Sequence, residues 1–292
     1  MQKSFRGRNI LAVLLIAASL SACGGGDGGT SPATSSTSST PATSSPSATS
    51  PQSSDQVACR PNGNFTYSGS ASQVAASNGT LAVVAVPDIP ADVQKNRNFT
   101  VPAAPASSQV QQASGAYTTL ASSGAATDCL GLDHGTVSDI QGIGADVAIG
   151  RWNQAMDTDG NTYTYLQGLH YAVGTPLSLT ATSGTLACTQ VLADTVTDAY
   201  SGPNGTLGTA SATLDLGTRT LNDLSMSINL ANTNYTLTNT QAPLNSVSKT
   251  GQLSIQSVVV GHDATQPMVA LGYSATLPNA QDIGGVVVLS CK

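Results

Sequence analysis

The sequence contains no glutamate and few charged residues of either sign. All 16 acidic residues are aspartates, and charged residues make up only 9% of the 292 residues. Glutamate and lysine favour exposed helix surfaces, whereas threonine, valine and tyrosine favour strands, and aspartate, asparagine and glycine favour turns. The composition therefore predicts a protein built of β-strands.

Basic residues are also scarce, with only ten lysines and arginines in the chain. Three of the ten, Lys3, Arg6 and Arg8, lie in the first 22 residues, which leaves seven in the remainder against 16 aspartates. A protein with so few cations lacks the positive surface that attracts a phosphate backbone. We therefore exclude nucleic acid as a partner.

The N-terminus has the order of a secretory signal peptide. Its basic residues precede an apolar run at residues 10–16, and small residues follow at 19–22. The run is too short to cross a bilayer, which requires about 20 apolar residues. Residues 1–22 are therefore predicted to be a cleaved signal peptide.

One cysteine stands directly after these small residues. Leu20-Ser21-Ala22-Cys23 resembles the lipobox of bacterial lipoproteins, in which the cysteine becomes the first residue and carries palmitate-type acyl chains. The resemblance implies a bilayer anchor through Cys23, since each buried CH₂ contributes about 0.8 kcal/mol. Gly24, in place of aspartate, implies passage to the outer membrane. A plain secretory peptide with an incidental cysteine is the alternative.

Residues 23–57 consist almost wholly of glycine, serine, threonine, alanine and proline. Such a segment has too little apolar surface to offset the entropy of ordering. It is predicted to be a flexible, lipid-anchored tether with an average reach of roughly 30 Å.

Four further cysteines, Cys59, Cys129, Cys188 and Cys291, predict two disulfides in an exported protein. Three pairings are open. Cys59 with Cys129 and Cys188 with Cys291 is preferred, because each pair would tie the ends of one candidate region. A zinc site is the rival, but the sequence has neither a C-x-x-C pair nor a histidine doublet.

The remaining chain divides by pattern. Residues 58–134 are irregular and predict a small N-terminal subdomain or elaboration, with a short helix within residues 106–120 as one alternative. Residues 135–292 carry recurrent apolar-polar alternation with turn residues between the runs, as in "DLSMSINL". About eight or nine strands predict an all-β fold, an eight-stranded antiparallel β-barrel, with a two-layer sandwich as the alternative.

Two segments of this region carry a family resemblance. "IGRWNQ" and "LQGLHYAVGTP" are similar to the C-terminal β-barrel module of transferrin-binding-protein-like surface lipoproteins. The matching residues are Gly150, Arg151, Trp152, His170, Tyr171, Gly174 and Pro176. The resemblance implies an eight-stranded barrel displayed on the cell surface, where relatives bind host proteins or solutes. The chain has room for one such barrel only, so transferrin itself is not an expected ligand.

Catalytic motifs are missing from the sequence. It contains neither a Gly-x-Ser-x-Gly elbow nor a His-Glu-x-x-His helix. His134, His170 and His262 lie far apart along the chain, and no serine is marked out as a nucleophile. We therefore predict a protein that is not an enzyme and needs no cofactor.

Three positions suggest ligands or metals, but each has a structural explanation. His170 could bind haem iron, although a hydrogen bond inside the barrel or beside Arg151 is preferred. Asp157, Asp159 and Asn161 have calcium-loop spacing, but an Asp-Gly hairpin turn explains the same residues. Trp152 is expected to pack in the core. No metal is predicted.

These features together predict an outer-membrane surface lipoprotein. It would act as a non-enzymatic binding module for an unidentified protein or an iron-related solute. Turn-rich segments such as residues 201–208 are the expected recognition loops, because barrels present variable loops at their rims. The alternative is a structural or adhesive envelope lipoprotein without a small-molecule ligand.

Overall fold

The computed structural model describes residues 59, 63–95, 98–278 and 281–292. The predicted signal peptide, Cys23 and the tether at residues 23–57 lie outside the described residues. Within the described ranges, no helix is long and apolar enough to cross a membrane. These residues form β-strands joined by turns, with a single-turn 3₁₀ helix at Ala106–Ser108, as the composition predicts.

The strands form two sheets of nine strands each. The first sheet contains β1 (Phe65–Gly69), β2 (Thr80–Asp88), β3 (Phe99–Pro105), β4 (Val110–Gln111), β5 (Tyr117–Ala121), β6 (Cys129–Ile143), β7 (Val147–Asp157), β8 (Thr162–Tyr163) and β9 (Gly168–Gly174). The second contains β10 (Thr185–Ala193), β11 (Thr195–Asp198), β12 (Gly205–Asp215), β13 (Thr220–Leu230), β14 (Thr233–Pro243), β15 (Val247–Thr250), β16 (Leu253–Val260), β17 (Met268–Thr276) and β18 (Asp282–Cys291).

The second sheet is an antiparallel, barrel-like structure. Its order is β14-β13-β12-β10-β18-β17-β16-β15, so the first long strand, β10, pairs with the last, β18. β14 and β15 are the two ends of this strand order and lie next to each other at a seam. Asn239 Nδ2 of β14 donates to Thr250 Oγ1 of β15 at 3.0 Å. In the described residues the two strands are not paired by backbone hydrogen bonds. The prediction of an eight-stranded antiparallel barrel is confirmed in this form, with an open seam.

The limits of the barrel differ from the predicted ones. The sequence predicts a barrel from residue 135 onward, yet β7 and β9 belong to the first sheet, where β9 lies between β2 and β7. The predicted boundary between residues 134 and 135 falls inside β6. The barrel therefore begins at β10, and residues 58–134 do not fold separately from the segment that follows. The alternative helix within residues 106–120 is also wrong, because that stretch consists of the 3₁₀ turn at Ala106–Ser108 followed by β4 and β5.

Each sheet curls around an apolar core, and a third apolar layer lies between the sheets. The first core includes Leu120, Trp152 and Tyr171, and the second includes Leu214, Met226 and Leu289. The layer between the sheets, the interlayer, consists of Ala82, Val84, Val147, Ile149, Ala172, Val258, Val260, Met268, Ala270, Val286 and Val288. The two sheets are thus joined by close apolar packing.

This arrangement explains two kinds of strand sequence. β2 ("TLAVVAVPD") is almost continuously apolar because its residues alternate between the first core and the interlayer. β13 ("TLNDLSMSINL") alternates apolar and polar residues because only one of its faces is fully buried. Strands buried on both faces are expected to be continuous apolar runs, and half-buried ones to alternate.

The two disulfides join Cys59 to Cys129 and Cys188 to Cys291. The preferred pairing is thus confirmed. Cys188 and Cys291 are direct partners in the β10–β18 ladder, so the second disulfide fastens the strands that close the barrel. The first ties the residue preceding the first sheet to β6.

An ionic contact joins the turns at one end of the two sheets and makes their association pH-dependent. His262 Nδ1, after β16, lies 2.8 Å from both carboxylate oxygens of Asp146, between β6 and β7. The hydrogen bond and charge of Asp146 raise the pKa of His262 above its ordinary 6.5. The stabilisation is therefore fully present below pH 6.5 and is lost as the pH rises through the folded-state pKa.

We expect His262→Gln to lower the urea midpoint at about pH 5.5 and to leave it nearly unchanged at about pH 9. The effect should be small, because the His262 side chain is 79% exposed. His134→Gln is the matched control, since His134 pairs with its own sequence neighbour Asp133 and should not link the sheets. A midpoint difference that is independent of pH would contradict the prediction.

Candidate functional site

The residues of the sequence motif come together in the first sheet and not in the barrel. Arg151 of β7 is the ladder partner of His170 in β9, and Gly150 is the partner of Tyr171. Gly174 ends β9, and Pro176 beyond it forms an isolated bridge to Val260 in the second sheet. The motif therefore marks the place where the first sheet meets the second.

The inner face of this ladder is a packed aromatic cluster. The Trp152 indole N–H donates to the Tyr117 carbonyl oxygen at 2.8 Å, and the Tyr117 backbone N–H donates to the Tyr171 hydroxyl at 3.0 Å. A Cβ at Gly150 would lie 2.3 Å from that hydroxyl oxygen, so glycine is required there. All three aromatic side chains are buried. These contacts explain why the motif contains Trp152, Tyr171 and Gly150, since all three serve the packing of the first core.

The outer face of the same ladder is polar at one end. Arg151 is buried, with Nε donating to Asp139 Oδ2 at 2.9 Å and a terminal nitrogen donating to the Gln167 carbonyl oxygen at 3.0 Å. Asp139 reaches Arg151 from a β-bulge between Ser138 and Gln141, where its φ is 55°. Bulges redirect side chains in this way.

Next to Arg151, His170 joins the two sheets through a buried hydrogen-bond chain. Its Nδ1 lies 2.5 Å from Asp194 Oδ2, and its Nε2 lies 2.6 Å from Thr197 Oγ1. The Thr197 hydroxyl donates to Asp88 Oδ2 at 2.5 Å. Asp88 and His170 belong to the first sheet, whereas Thr197 belongs to β11 of the second sheet and Asp194 lies between β10 and β11. We call these four residues the junction network.

Hydrogen bonds hold every member of the network in place. The Thr197 hydroxyl donates to Asp88, and its oxygen lies within hydrogen-bond distance of His170 Nε2. The other oxygen of Asp194 accepts from the Val286 backbone N–H at 2.8 Å. Burial raises the pKa of Asp194 and raises that of Asp88 well above its ordinary value, with nearby aspartates adding to the effect at Asp88.

The order Asp194–His170–Thr197 has the connectivity of a catalytic triad, but its surroundings differ from those of a catalytic site. His170 and Thr197 are fully buried, and the Thr197 hydroxyl is already committed to Asp88. A nucleophile must be free to reach a substrate carbonyl. The arrangement is suited to joining the sheets. It also explains His170 as a hydrogen-bonding residue and not as a haem ligand. Sequence reasoning missed its partners, which are brought to His170 only by the packing of the sheets.

The segment with calcium-loop spacing is a self-contained turn. Asp157 Oδ1 accepts the backbone N–H groups of Asp159 and Asn161, while Oδ2 accepts from the Asn161 side chain and the Tyr163 hydroxyl. The Asn161 side-chain oxygen accepts from Lys95 N at 2.8 Å. These oxygens are thus engaged by hydrogen bonds, which explains the Asp-x-Asp-x-Asn pattern as the hairpin turn.

The remaining two histidines lie elsewhere. His134 is on β6 beside Asp133, and His262 is in the turn after β16. The structure therefore does not bring the three histidines together.

Two exposed tyrosines lie on neighbouring loops outside the junction network. Tyr165, between β8 and β9, and Tyr200, between β11 and β12, are each 61% exposed. Their loops are tied together, because Thr164 Oγ1 lies 3.1 Å from Ser201 Oγ and Gln167 Nε2 donates to the Ala199 carbonyl oxygen. We call this pair of loops the tyrosine surface.

In the sequence, the segment "NTYTYLQGLHYAVG" predicts one long strand in which Tyr165 shares a face with Tyr163, Leu169 and Tyr171. A turn at residues 164–167 interrupts that strand, with Gln167 N donating to the Thr164 carbonyl oxygen at 3.3 Å. This turn places Tyr165 at the surface. The predicted recognition segment, residues 201–208, begins on the neighbouring loop and continues into β12.

Two concave regions border the junction between the sheets. An open groove of about 690 Å³ lies along β10 and β12 and is lined mainly by neutral residues such as Thr189, Thr206 and Ser211. A cleft of about 440 Å³ opens where β2 ends against β16, β17 and β18, and Asp88 and Asp282 line it. We call the second region the intersheet cleft.

Comparisons with known proteins yield one structural likeness. No protein-family model matches the chain, and no curated protein matches it. The structure is similar to a crystal structure of the vaccine antigen transferrin-binding protein B, a double mutant, from Haemophilus parasuis Hp5. The TM-score is 0.33 with 9% sequence identity, over 73% of this chain and 45% of that chain.

The chain thus spans less than half of the length of that protein. The solved structure is that of a transferrin-binding protein, the kind of protein that the sequence motif resembles.

The junction network gives a direct test of its role. Thr197→Val should lower the free energy of unfolding by about 1–3 kcal/mol, because both Asp88 and His170 would lose a buried partner. Thr195→Val, on the same strand but partly exposed, is the matched control and should change it by less than about 0.5 kcal/mol. Urea unfolding of the two variants measures the difference. Equal stabilities would show that the network does not stabilise the joined sheets.

Proposed function

We propose that this protein is a lipid-anchored lipoprotein of the bacterial outer membrane, displayed on the cell surface as a non-enzymatic binding module. Its ligand would be a protein or an iron-related solute, captured at the tyrosine surface. The lipobox-like Leu20-Ser21-Ala22-Cys23 and the tether support the anchoring part of the proposal. The double-sheet lobe supports the binding part, because it presents loops from a rigid scaffold.

The observation that carries the proposal is the pair of exposed tyrosines on loops held together by hydrogen bonds. Tyrosine supplies a large contact area at low entropic cost, and it is enriched among residues that dominate binding energy. The contacts from Thr164 to Ser201 and from Gln167 to Ala199 restrict the motion of both loops before any ligand binds. Such preorganisation lowers the cost of binding.

A non-enzymatic role agrees with the chemistry of the described residues. Their Asp-His-Thr arrangement is buried between the sheets, while the exposed tyrosines are suited to contact and not to group transfer. A structural or adhesive envelope protein remains the second candidate. It would share the anchor and tether but would not use the tyrosine surface for a soluble ligand.

The anchor can be tested by Cys23→Ser. If Cys23 carries acyl chains, the variant should move from the membrane fraction to the soluble envelope fraction, because the chains supply the binding free energy. Ser21→Thr, which keeps Cys23, is the control and should remain with the membrane. Retention of Cys23→Ser in the membrane fraction would refute lipid anchoring at this residue.

The binding role can be tested with the mature protein immobilised through its N-terminal region. Tyr165→Ala combined with Tyr200→Ala should weaken binding of captured protein or solute by at least about tenfold, as loss of central aromatic contacts does. Tyr67→Ala, a partly exposed tyrosine on β1, is the matched control. Binding that is equally strong in all variants would place the ligand elsewhere, and failure to capture any soluble ligand would favour the structural role.

A further inference from the structure

We infer that a pocket at one end of the barrel binds a carboxylate carried by a small apolar group, and that Arg219 holds its charge. The place and the ligand chemistry lie outside the proposed function. β9 begins next to the tyrosine surface and ends just before the pocket, so the two regions are at opposite ends of this strand. The inference therefore does not depend on what the tyrosine surface binds.

Four segments of the chain form the pocket. They are the connection from β9 to β10, the turn between β12 and β13, the turn between β14 and β15, and the last residues of β16. We call it the barrel-end pocket, and it is lined by Leu177, Ser178, Leu179, Arg219, Leu244, Asn245 and Val259. All of them lie in the continuous described range 98–278. The volume is about 310 Å³, at the lower end of the range of about 300–1,000 Å³ for ligand pockets.

Hydrogen bonds hold the walls of the barrel-end pocket in place without a ligand. The Leu177 N–H donates to the Val259 carbonyl oxygen at 3.1 Å, and the Leu244 N–H donates to the Arg219 carbonyl oxygen at 3.0 Å. Asn245 Oδ1 accepts from the Val259 N–H at 2.9 Å. Binding would therefore require little ordering of the protein, which lowers its cost.

The Arg219 side chain is the observation that indicates a ligand. Its Nη2 donates to the Leu179 carbonyl oxygen at 2.9 Å. Its Nη1 is buried and has no hydrogen-bond partner among the described residues. A buried nitrogen of a charged group without an acceptor costs free energy, which an acceptor supplied by a ligand would recover. The residue as a whole is partly exposed and lines the pocket, so a small turn of the guanidinium would present Nη1 to a ligand there.

The charge of Arg219 favours an anionic ligand. In the described residues, Arg151 pairs with Asp139 at 2.9 Å, whereas Arg219 forms no ion pair. No acidic side chain is among the described residues that line the pocket. Asp215, at the start of the same turn, directs its Oδ1 to two backbone N–H groups of that turn. The pocket thus offers a positive charge that none of its lining residues neutralises.

The other lining residues favour an apolar group attached to the anion. Most of the lining is aliphatic, namely Leu177, Leu179, Leu244 and Val259, and two of these, Leu179 and Leu244, also pack against the barrel core. A planar guanidinium matches the geometry of a carboxylate, and burial of an alkyl group beside it adds a hydrophobic contribution. Sulfate or phosphate would gain nothing from these side chains. The ligand is therefore a small aliphatic carboxylic acid or the C-terminal carboxylate of a peptide with an apolar last residue.

The test is a calorimetric titration of the full mature chain carrying Cys23→Ser, so that no detergent competes for the probes. The two probes are hexanoate and acetyl-Gly-Leu with a free carboxylate, and their uncharged counterparts are hexanol and acetyl-Gly-Leu-amide. Both probes should bind saturably. Each uncharged counterpart should bind at least about tenfold more weakly, because it cannot form a charge-assisted hydrogen bond with Arg219. Sulfate, an anion without an apolar group, should not displace hexanoate at equal concentration.

Variants locate the binding. Arg219→Gln should weaken binding of both probes by about tenfold or more. Lys249→Gln is the matched control, since it removes a positive charge from β15 outside the pocket lining, and it should bind like the parent chain. Leu177→Ala retains the guanidinium and should weaken hexanoate binding by about threefold or more, because apolar contact is lost.

The relative affinities of the two probes identify the source of the carboxylate. Hexanoate that binds at least as tightly as the peptide indicates a free acid, and a tighter peptide indicates the C-terminus of a protein. The inference is wrong if neither probe binds, if an uncharged counterpart binds as tightly as its probe, if sulfate displaces hexanoate equally well, or if Arg219→Gln leaves binding unchanged. Should Arg219→Gln not fold, unchanged hexanoate binding by Leu177→Ala would contradict it instead. None of these outcomes involves Tyr165 or Tyr200, so a failure here is distinct from a failure of the proposed function.

Discussion

The apolar interlayer between the two sheets is the contact on which the rest of the structure depends. Ala82, Val84 and Ala172 of the first sheet face Val258 and Val286 of the second, and all five are fully buried. Strands at this layer have no face left for water, so any polar side chain there must find its partner in the protein.

The junction network lies at one end of the layer, and each of its members is satisfied by a residue of the opposite sheet. Slippage of one sheet on the other would leave Asp88, His170 and Asp194 without partners, so the network fixes their register.

The interlayer also determines which surfaces remain for binding. It covers β16, β17 and β18 but leaves the outward faces of β12, β13 and β14 to solvent, and those faces carry threonine, serine and asparagine.

The exposed edge of the first sheet is protected against pairing with a further strand by proline. β3, at the edge of the first sheet, contains Pro102 and ends at Pro105, and proline cannot donate to a further strand. The loops around the junction combine the exposed Tyr165 and Tyr200 with hydrogen bonds that tie the two loops together.

Much of the fold could be predicted from local pattern, but its division into sheets could not. The alternation of Leu224, Met226 and Ile228 predicted a half-buried strand, and the cysteine positions predicted the disulfides. The continuous apolar runs of β2 and β18, however, look alike in sequence although they belong to different sheets.

The partners of His170, Asp194 and Thr197, are 24 and 27 residues away in the sequence. Asp88 accepts its hydrogen bond from Thr197, which is 109 residues away. Alternation also misplaced Tyr165, since the short turn at residues 164–167 carries no glycine or proline to announce it.

The position of Asp88 connects the interlayer to the candidate sites. It lies where the low-dielectric layer ends and the intersheet cleft begins, so burial acts on one side of its carboxyl group and solvent on the other. Through Thr197 and His170 it is linked to Asp194, whose second oxygen is held by Val286 of β18. The same end of the junction holds the tyrosine surface, because Gln167 donates to Ala199 and Ala199 N donates to the Asp282 carbonyl oxygen at 2.8 Å. The loops that carry Tyr165 and Tyr200 are therefore held by residues at the same junction that joins the two sheets.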